Sequence, residues 1–159
     1  MILQGRLTYD IESCGEVHAD GDGTSGVTGD PVIPFKDGKR CWVNRVIFGD
    51  RSARAWERSA NPANRAVFAA GDSDTDVTFL RDANGLRLVI NRNRAELQCY
   101  AYWNEDRRWL VNPMFIQPTP RRSELYPCST RGCTAESGEA VPCRDEKETV
   151  IPDQEDRVF

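Results

Sequence analysis

The chain has 159 residues, of which 39% are hydrophobic and 29% charged, and its formal net charge is −4. This length suits one ordinary domain. The acidic balance disfavours a nucleic-acid-binding surface, which normally carries a basic excess, and no apolar run approaches the roughly 18 residues of a membrane span.

The first part of the chain, residues 1–35, predicts strands and turns. Apolar residues partly alternate in "MILQGRLTYDI", and glycine and aspartate crowd "HADGDGTSGVTGDP". No basic stretch followed by a long apolar run opens the sequence, so we expect no signal peptide in it as it stands. Helical spacing of apolar residues then predicts a helix over 38–48, with Asp37 as its N-cap and Gly49 as its end.

The middle of the chain alternates strand and helix patterns. "RSARAWERSANPANR" predicts a second helix, and an apolar run predicts a strand over 65–70. A helix over 76–82 follows, ended by Asn84-Gly85; then come a strand in "LRLVIN", a helix in "RAELQCYAYWN" and a strand over 109–115. Such alternation at short spacing is typical of a parallel sheet in an α/β fold.

Cysteines and prolines mark the C-terminal part. Cys128, Cys133 and Cys143 lie in a segment poor in core-forming residues, so we expect a covalent staple there. Disulfides would indicate an oxidising compartment; free thiols and zinc are the alternatives, and three cysteines with no nearby histidine leave zinc without an evident fourth ligand. The charged residues 144–159 predict a mobile tail.

An acidic turn, "GDSDTD" at 71–76, directly follows the apolar strand. Ligands of open parallel sheets bind beyond the carboxyl ends of the strands, so Asp72 would project into a crevice while Asp76 opens the next helix. Mg²⁺ commonly takes one or two protein carboxylates plus substrate phosphate, and this pair fits that demand. The structural alternative is that Asp74 and Asp76 cap the following helix.

Lys39 lies at the start of the predicted helix over 38–48. A lysine there could hold a phosphate and offset the charge of nearby carboxylates, although a lone lysine is more often a solvated surface residue. A calcium-binding surface loop is a further alternative for "DSDTD". An EF-hand is disfavoured, because Val77 and Ala83 stand where its loop needs glycine and glutamate.

Together, "DGKRCWVNRVI" and "VFAAGDSDTDVTFLRDA" resemble the lysine and acidic motifs of the haloacid dehalogenase-like (HAD) phosphohydrolase superfamily. "GRLTYD…DGDGTSGVTGDP" is similar to the return from cap to core in phosphoserine phosphatase-like members, and "CYAYWNEDRRWLVNPMFIQP…LYPCSTRGC" to exported, phosphorylcholine phosphatase-like relatives. The resemblance implies a Rossmann-like three-layer α/β/α sandwich with a parallel sheet. It divides the chain into the end of the cap at 1–35, half of the core at 36–104, a C-terminal strand and Cys/Pro-rich extension at 105–143, and the tail at 144–159.

The resemblance also implies a Mg²⁺-dependent phosphomonoesterase that forms an aspartyl-phosphate. Asp72 would be a Mg²⁺ ligand, Asp76 would support the metal directly or through water, and Lys39 would contact the phosphoryl group and the nucleophile. The substrate would be a small phosphomonoester, a phosphorylcholine-like one among them, and the protein periplasmic or secreted if the full-length form carries an export signal, otherwise cytoplasmic. The tryptophans have two alternative roles, an aromatic box for a quaternary ammonium or packing in the core. They are Trp42, Trp56, Trp103 and Trp109.

The family's nucleophile motif, Asp-x-Asp-x-Thr after an apolar strand, has no match at the expected place. Residues 20–24 fit the bare pattern, but they follow "CGEVHA" and lie too close to Lys39 for the intervening elements. We therefore expect an incomplete core that lacks the nucleophile strand, with an exposed sheet edge and no activity alone. The chain would be a fragment, a mis-called start or a degenerate copy; the alternative is a non-catalytic HAD-like protein that binds or assembles.

Overall fold

The computed structural model of the protein describes residues 2–3, 6–7, 14, 16–17, 32–33, 36–135 and 137–158. The chain divides into two compact units, Met1–Arg65 and Ala66–Phe159, and each is treated by itself. This division differs from the four segments that the resemblance implies, whose limits stay predictions.

Short antiparallel strand pairs begin the first unit, as the sequence predicts. They are β1 (Ile2–Leu3) with β2 (Arg6–Leu7), and β3 (Glu16–Val17) with β4 (Val32–Ile33). The Asp-x-Asp-x-Thr pattern at 20–24 lies outside the described residues.

The predicted helix over 38–48 is present as α1 (Asp37–Trp42), which continues into a π-helical segment, Val43–Ile47. The prediction of Asp37 as N-cap is wrong. Lys36 takes that position with a φ of 44°, and the Asp37 carboxylate instead accepts a hydrogen bond from Arg40 at 3.2 Å. Gly49 follows the helix as expected, and its φ of 71° is one that glycine adopts without strain.

The second predicted helix, in "RSARAWERSANPANR", is wrong. Two short 3₁₀ helices stand there, Ala53–Trp56 and Pro62–Asn64. The side chains of Ser52 and Asn61 each accept a backbone N–H at the start of one of them. Because such local side-chain bonds compete with a continuous helix and Pro62 lacks an N–H, the segment is broken into two turns.

A disulfide between Cys14 and Cys41 forms the centre of the first unit. Both cysteines and Ala55 are fully buried, and Trp42 packs against them. The Asn44 side chain donates to the carbonyl of Ala55 at 2.8 Å, which fixes the first 3₁₀ helix on the helical segment.

A small parallel sheet organises the second unit, in agreement with the predicted α/β class. Its strands are β5 (Phe68–Gly71), β6 (Leu86–Asn91) and β7 (Trp109–Pro113), in that order. Helices α2 (Val77–Asp82) and α3 (Ala95–Trp103) connect them. The strand and helix patterns at 76–103 are thus confirmed, whereas the three-layer Rossmann-like arrangement stays a prediction.

The two faces of this sheet differ. Inward residues Ala69, Val89 and Trp109 pack with α2 and α3 in one core cluster. The opposite face carries Phe68, which is 55% exposed, and Leu86 and Leu110, which are about half exposed. Among the described strands, β5 pairs only with β6, so it forms one edge of the sheet, whereas the loss of a nucleophile strand beside it stays a prediction.

The prediction of a mobile tail over 144–159 is wrong for its described part. Ile151 is fully buried in a second core cluster, and the backbone of Gln154 bridges to that of Tyr126. Asp156 is only 1% exposed. The segment therefore contributes apolar and polar groups to the core despite its many charges.

The expected covalent staples are present as disulfides. Cys99 on α3 pairs with Cys128, and Cys133 pairs with Cys143. Together with the bond in the first unit, they are typical of a protein from an oxidising compartment, either extracellular or periplasmic. Within the described part of the chain, no helix has the length and apolarity that crossing a membrane requires.

Candidate functional site

The acidic turn lies at the carboxyl end of β5, as the sequence predicts. Gly71 is the last strand residue, Asp72 and Ser73 form the turn, and a 3₁₀ helix, Asp74–Asp76, leads into α2. The neighbouring strand β6 runs in the same direction and ends at Asn91. Groups that follow the two strands therefore share one edge of the sheet.

Asp76 stabilises the turn itself. Its carboxylate is 7% exposed, and Oδ2 accepts the backbone N–H groups of Asp72 at 3.0 Å and Ser73 at 3.1 Å. Ser73 Oγ in turn accepts the N–H of Thr75 at 3.2 Å. This reciprocal capping box bears out the structural alternative for Asp76 and fixes the backbone at Asp72.

Gly71 is required by close approach. A Cβ placed on it would lie 2.6 Å from Cβ of Asp76 and 2.8 Å from its Oδ2. Real Cβ atoms do not come so near, so a side chain here would push Asp76 out of the capping box. The glycine of the motif thus serves the same hydrogen bonds as the aspartate.

Asp74 contacts a different helix from the one expected. Its Oδ1 accepts the backbone N–H of Leu97, in the first turn of α3, at 2.9 Å. Arg94 holds the N-cap position of α3 and supplies no side-chain cap of its own. The turn is therefore tied to α3 as well as to α2.

Asp72 is paired with an arginine. Oδ2 of Asp72 lies 2.9 Å from Nη1 of Arg92, the first residue after β6, and the two side chains are 42% and 47% exposed. An ion pair this open to solvent contributes little to stability, about 0–1 kcal/mol.

The structure brings Asp72 and Asp76 together, through the Asp72 N–H, in the second unit. Lys39 lies in the first unit as the third residue of α1 and is partly buried. Among the described residues, no group of three or more His, Cys, Asp or Glu side chains is arranged to hold a metal ion. Of the three carboxylates of the turn, Asp72 and Asp74 are partly exposed and Asp76 is buried, so a Mg²⁺ ion at Asp72 would leave most of its coordination positions to water and substrate phosphate.

The sequence analysis missed a buried polar cluster behind the same sheet edge. The Asp156 carboxylate accepts hydrogen bonds from Tyr102 Oη at 2.7 Å, Asn91 Nδ2 at 3.0 Å and the N–H of Arg122 at 2.9 Å. Burial, followed by the bond to Asp156, raises the pKa of Tyr102 to about 12. The residues of this polar cluster are far apart in the sequence, so local sequence patterns do not predict the cluster.

Two of the tryptophans serve the core of the second unit. Trp109 is buried in the first cluster under the guanidinium of Arg87, whose Cζ lies 5.1 Å from the ring centroid. Trp103 packs against the cluster that contains Tyr126. Core packing is thus the role of these two rings, in separate clusters, and they form no common box.

The motifs therefore rest on sequence pattern and local geometry. No protein-family model, no curated protein and no solved structure gives a significant match to this chain.

Proposed function

We propose that the chain is the C-terminal part of a Mg²⁺-dependent HAD-type phosphomonoesterase, a hydrolase that acts through an aspartyl-phosphate. The observation that supports the proposal is the half-exposed Asp72 at the carboxyl end of a parallel strand, on a turn that Asp76 fixes. Ligands of α/β sheets bind at this edge. A Rossmann-like three-layer core belongs to the same proposal.

The side chains have separate roles in it. Asp72 would hold Mg²⁺, and Asp76 would keep the Asp72 backbone in place through its hydrogen bond. Lys39 would contact the transferring phosphoryl group with its positive charge. Bound Mg²⁺ would supply neutralisation of phosphate charge.

In this proposal the chain lacks the nucleophilic aspartate. We therefore expect negligible hydrolysis of p-nitrophenyl phosphate by the chain alone, together with weak Mg²⁺ binding. Robust hydrolysis that is lost in Asp20→Asn would contradict the assignment and make residues 20–24 the nucleophile motif. An in-frame Asp-x-Asp-x-Thr after an apolar strand in the upstream genomic sequence would support it.

The metal role is tested separately by titration calorimetry with MgCl₂. Asp72→Asn should abolish the weak binding, because it removes the charge of the proposed ligand carboxylate, which is about half exposed. Glu124→Gln is the matched control, since Glu124 is an exposed carboxylate far along the chain from the turn. Equal Mg²⁺ binding by both variants and the wild type would rule out the site.

The substrate class is a small phosphomonoester, with a phosphorylcholine-like compound as the narrower candidate. The three disulfides favour a periplasmic or secreted enzyme over a cytoplasmic one. Phosphatase activity of the complete protein after export, and its loss on chemical reduction, would test this location.

A non-catalytic HAD-like protein for binding or assembly is the second candidate. It is favoured by the hydrogen bonds of the turn, because Asp74 and Asp76 both serve the fold. The two candidates differ in the role of the Asp72 side chain, because none of the backbone hydrogen bonds described for the turn uses its carboxylate. Mg²⁺ binding that depends on Asp72 would support the hydrolase, and its absence would support the non-catalytic protein.

A further inference from the structure

The face of the parallel sheet that points away from α2 and α3 carries no charged residue. We call it the outer face, and its residues alternate along the strands with the inward ones. They are Phe68 and Ala70 on β5, Leu86, Leu88 and Ile90 on β6, and Leu110 and Asn112 on β7. All of them are apolar except Asn112. The strand register places Ala70, Leu88 and Leu110 side by side across the sheet, so the apolar residues form one continuous patch.

The central strand β6 turns its more apolar side to the outer face. Its inward residues include Arg87 and Asn91, which are 6% and 0% exposed, whereas its outward residues are Leu86, Leu88 and Ile90. A sheet with one solvated face has the opposite pattern, with apolar residues inward and polar residues outward. The strands of parallel sheets are instead covered on both faces. The sequence of β6 is therefore typical of a strand that is buried on both sides.

The outer face is nevertheless about half open to solvent. Phe68 is 55% exposed, Leu86 49% and Leu110 50%, so all three strands contribute to the open surface. Within the described part of the chain, no outer-face residue belongs to a hydrophobic core cluster. A contiguous exposed apolar patch marks an interaction surface, in contrast to single apolar residues scattered over a protein.

The size and charge of the outer face fit a second copy of the chain. Three strands about 4.8 Å apart and about five residues long at 3.3 Å per residue give a footprint of roughly 14 by 16 Å. Side chains on it expose about 400–500 Å² per copy, so two stacked copies bury about 1,000 Å² in total, the lower limit for a specific interface. The net charge of −4 opposes self-association elsewhere on the surface, but no charge has to be buried here.

We propose that two copies of the chain form a dimer by stacking their outer faces, about 10 Å apart as in a β-sandwich. The same patch serves both copies, as a twofold interface requires. Each sheet is then covered by α2 and α3 on one face and by the partner's sheet on the other. This dimer does not depend on the proposed function, because it uses the outer face and not the acidic turn.

Sedimentation velocity over a series of protein concentrations measures the association. The small interface predicts a dissociation constant in roughly the micromolar range. Leu110→Lys and Leu86→Lys each place a charge on the outer face. Leu125→Lys is the matched control, because Leu125 is 52% exposed and lies outside the strands and helices.

Each outer-face variant should raise the dissociation constant at least about tenfold, because twofold symmetry brings two altered side chains into the interface. The control should change it by less than about twofold. Added salt should not weaken the wild-type dimer, since the contact is apolar. Leu110 also distinguishes stacking from strand pairing at β5, because β7 lies at the opposite edge of the sheet. Unchanged far-UV circular dichroism establishes folding, and Leu110→Gln replaces a lysine variant that fails to fold.

The contrary outcomes are distinct. A wild type that stays monomeric up to about 1 mM overturns the proposal. If that monomer binds 8-anilinonaphthalene-1-sulfonate and Leu110→Lys does not, the outer face belongs to another polypeptide instead of a second copy. A dimer that neither outer-face variant weakens, or that Leu125→Lys weakens equally, overturns the stacked arrangement.

Discussion

The carboxylate of Asp74 accepts the backbone N–H of Leu97 at 2.9 Å, across 23 residues of sequence. A side chain of the acidic turn thereby satisfies a donor in the first turn of α3, which otherwise has no intrahelical partner. Its negative charge also lies at the positive end of that helix. The Asp74 side chain consequently links the turn after β5 to the start of α3.

Replacement of Asp74 should destabilise the protein by removing this link between the turn and α3. Asp74→Ala leaves the Leu97 N–H without its acceptor and should lower the free energy of unfolding by about 1 kcal/mol, the usual cost of a lost cap. Asp74→Asn keeps an acceptor oxygen and should cost less. Urea unfolding followed by circular dichroism measures both variants; equal losses would show that the charge, and not the cap, matters.

Alkaline pH should destabilise the second unit through Tyr102. Its pKa is raised from 10.0 to about 12 by burial and then by the bond to Asp156. Because the unfolded tyrosine ionises first, the stability that Tyr102 contributes is complete below pH 10 and is lost as the pH rises towards 12. Unfolding free energies measured between pH 9 and 12 should therefore fall less steeply in Tyr102→Phe than in the wild type.

The same variant should be less stable at neutral pH. Tyr102→Phe removes one hydrogen bond from the buried Asp156 carboxylate, a loss that costs about 1–3 kcal/mol for a buried partner. Parallel pH profiles for wild type and variant would contradict the role of Tyr102, since burial raises the pKa of Tyr126 as well and leaves that contribution in place.

The two disulfides of the second unit should differ in their contributions. Cys99–Cys128 spans 29 residues and Cys133–Cys143 spans 10. Loop-closure entropy alone gives about 3.6 kcal/mol for the longer loop and about 2.7 kcal/mol for the shorter one. Replacement of each pair by alanine, followed by urea unfolding, should show the larger loss for Cys99–Cys128; the reverse order would mean that native packing outweighs the entropy of the unfolded chain.

The edge strand β5 should promote self-association. Phe68 is 55% exposed on a strand with one described neighbour, and such edges pair readily with other chains. Phe68→Lys should reduce association in concentration-dependent light scattering. Phe115→Lys is the control, because Phe115 is 73% exposed but lies beyond β7. An equal reduction by both variants would indicate general hydrophobicity instead of strand pairing.

Local patterns predicted the parts of the fold that local interactions determine. The strand predicted in "LRLVIN" coincides with β6, and the strand-turn-helix pattern correctly placed Asp72 and Asp76 after β5. The helix expected in "RSARAWERSANPANR" does not form, because the side chains of Ser52 and Asn61 accept hydrogen bonds from backbone N–H groups two residues further on.

Long-range contacts were out of reach of the same reasoning. Asp156 is a charged residue in a charged segment, and its burial is explained by hydrogen bonds from distant residues, among them Tyr102 and Asn91, which lie 54 and 65 residues away in sequence. The hydrogen bond from the Leu97 N–H to Asp74 could not be predicted from a helix pattern either. Such a pattern predicts that Asp74 caps α2, the next helix in the sequence. Composition therefore predicts a tail where the structure has part of a core.

The buried positions of Ile151 and Asp156 also set an order of events during synthesis. Residues 151–158 leave the ribosome after every strand and helix of the second unit, yet they supply the partners of Tyr102 and Asn91. Until these residues emerge, the side chains of Tyr102 and Asn91 lack these partners and stay hydrated, so we expect the core of this unit to close only after residues 151–158 have been synthesised.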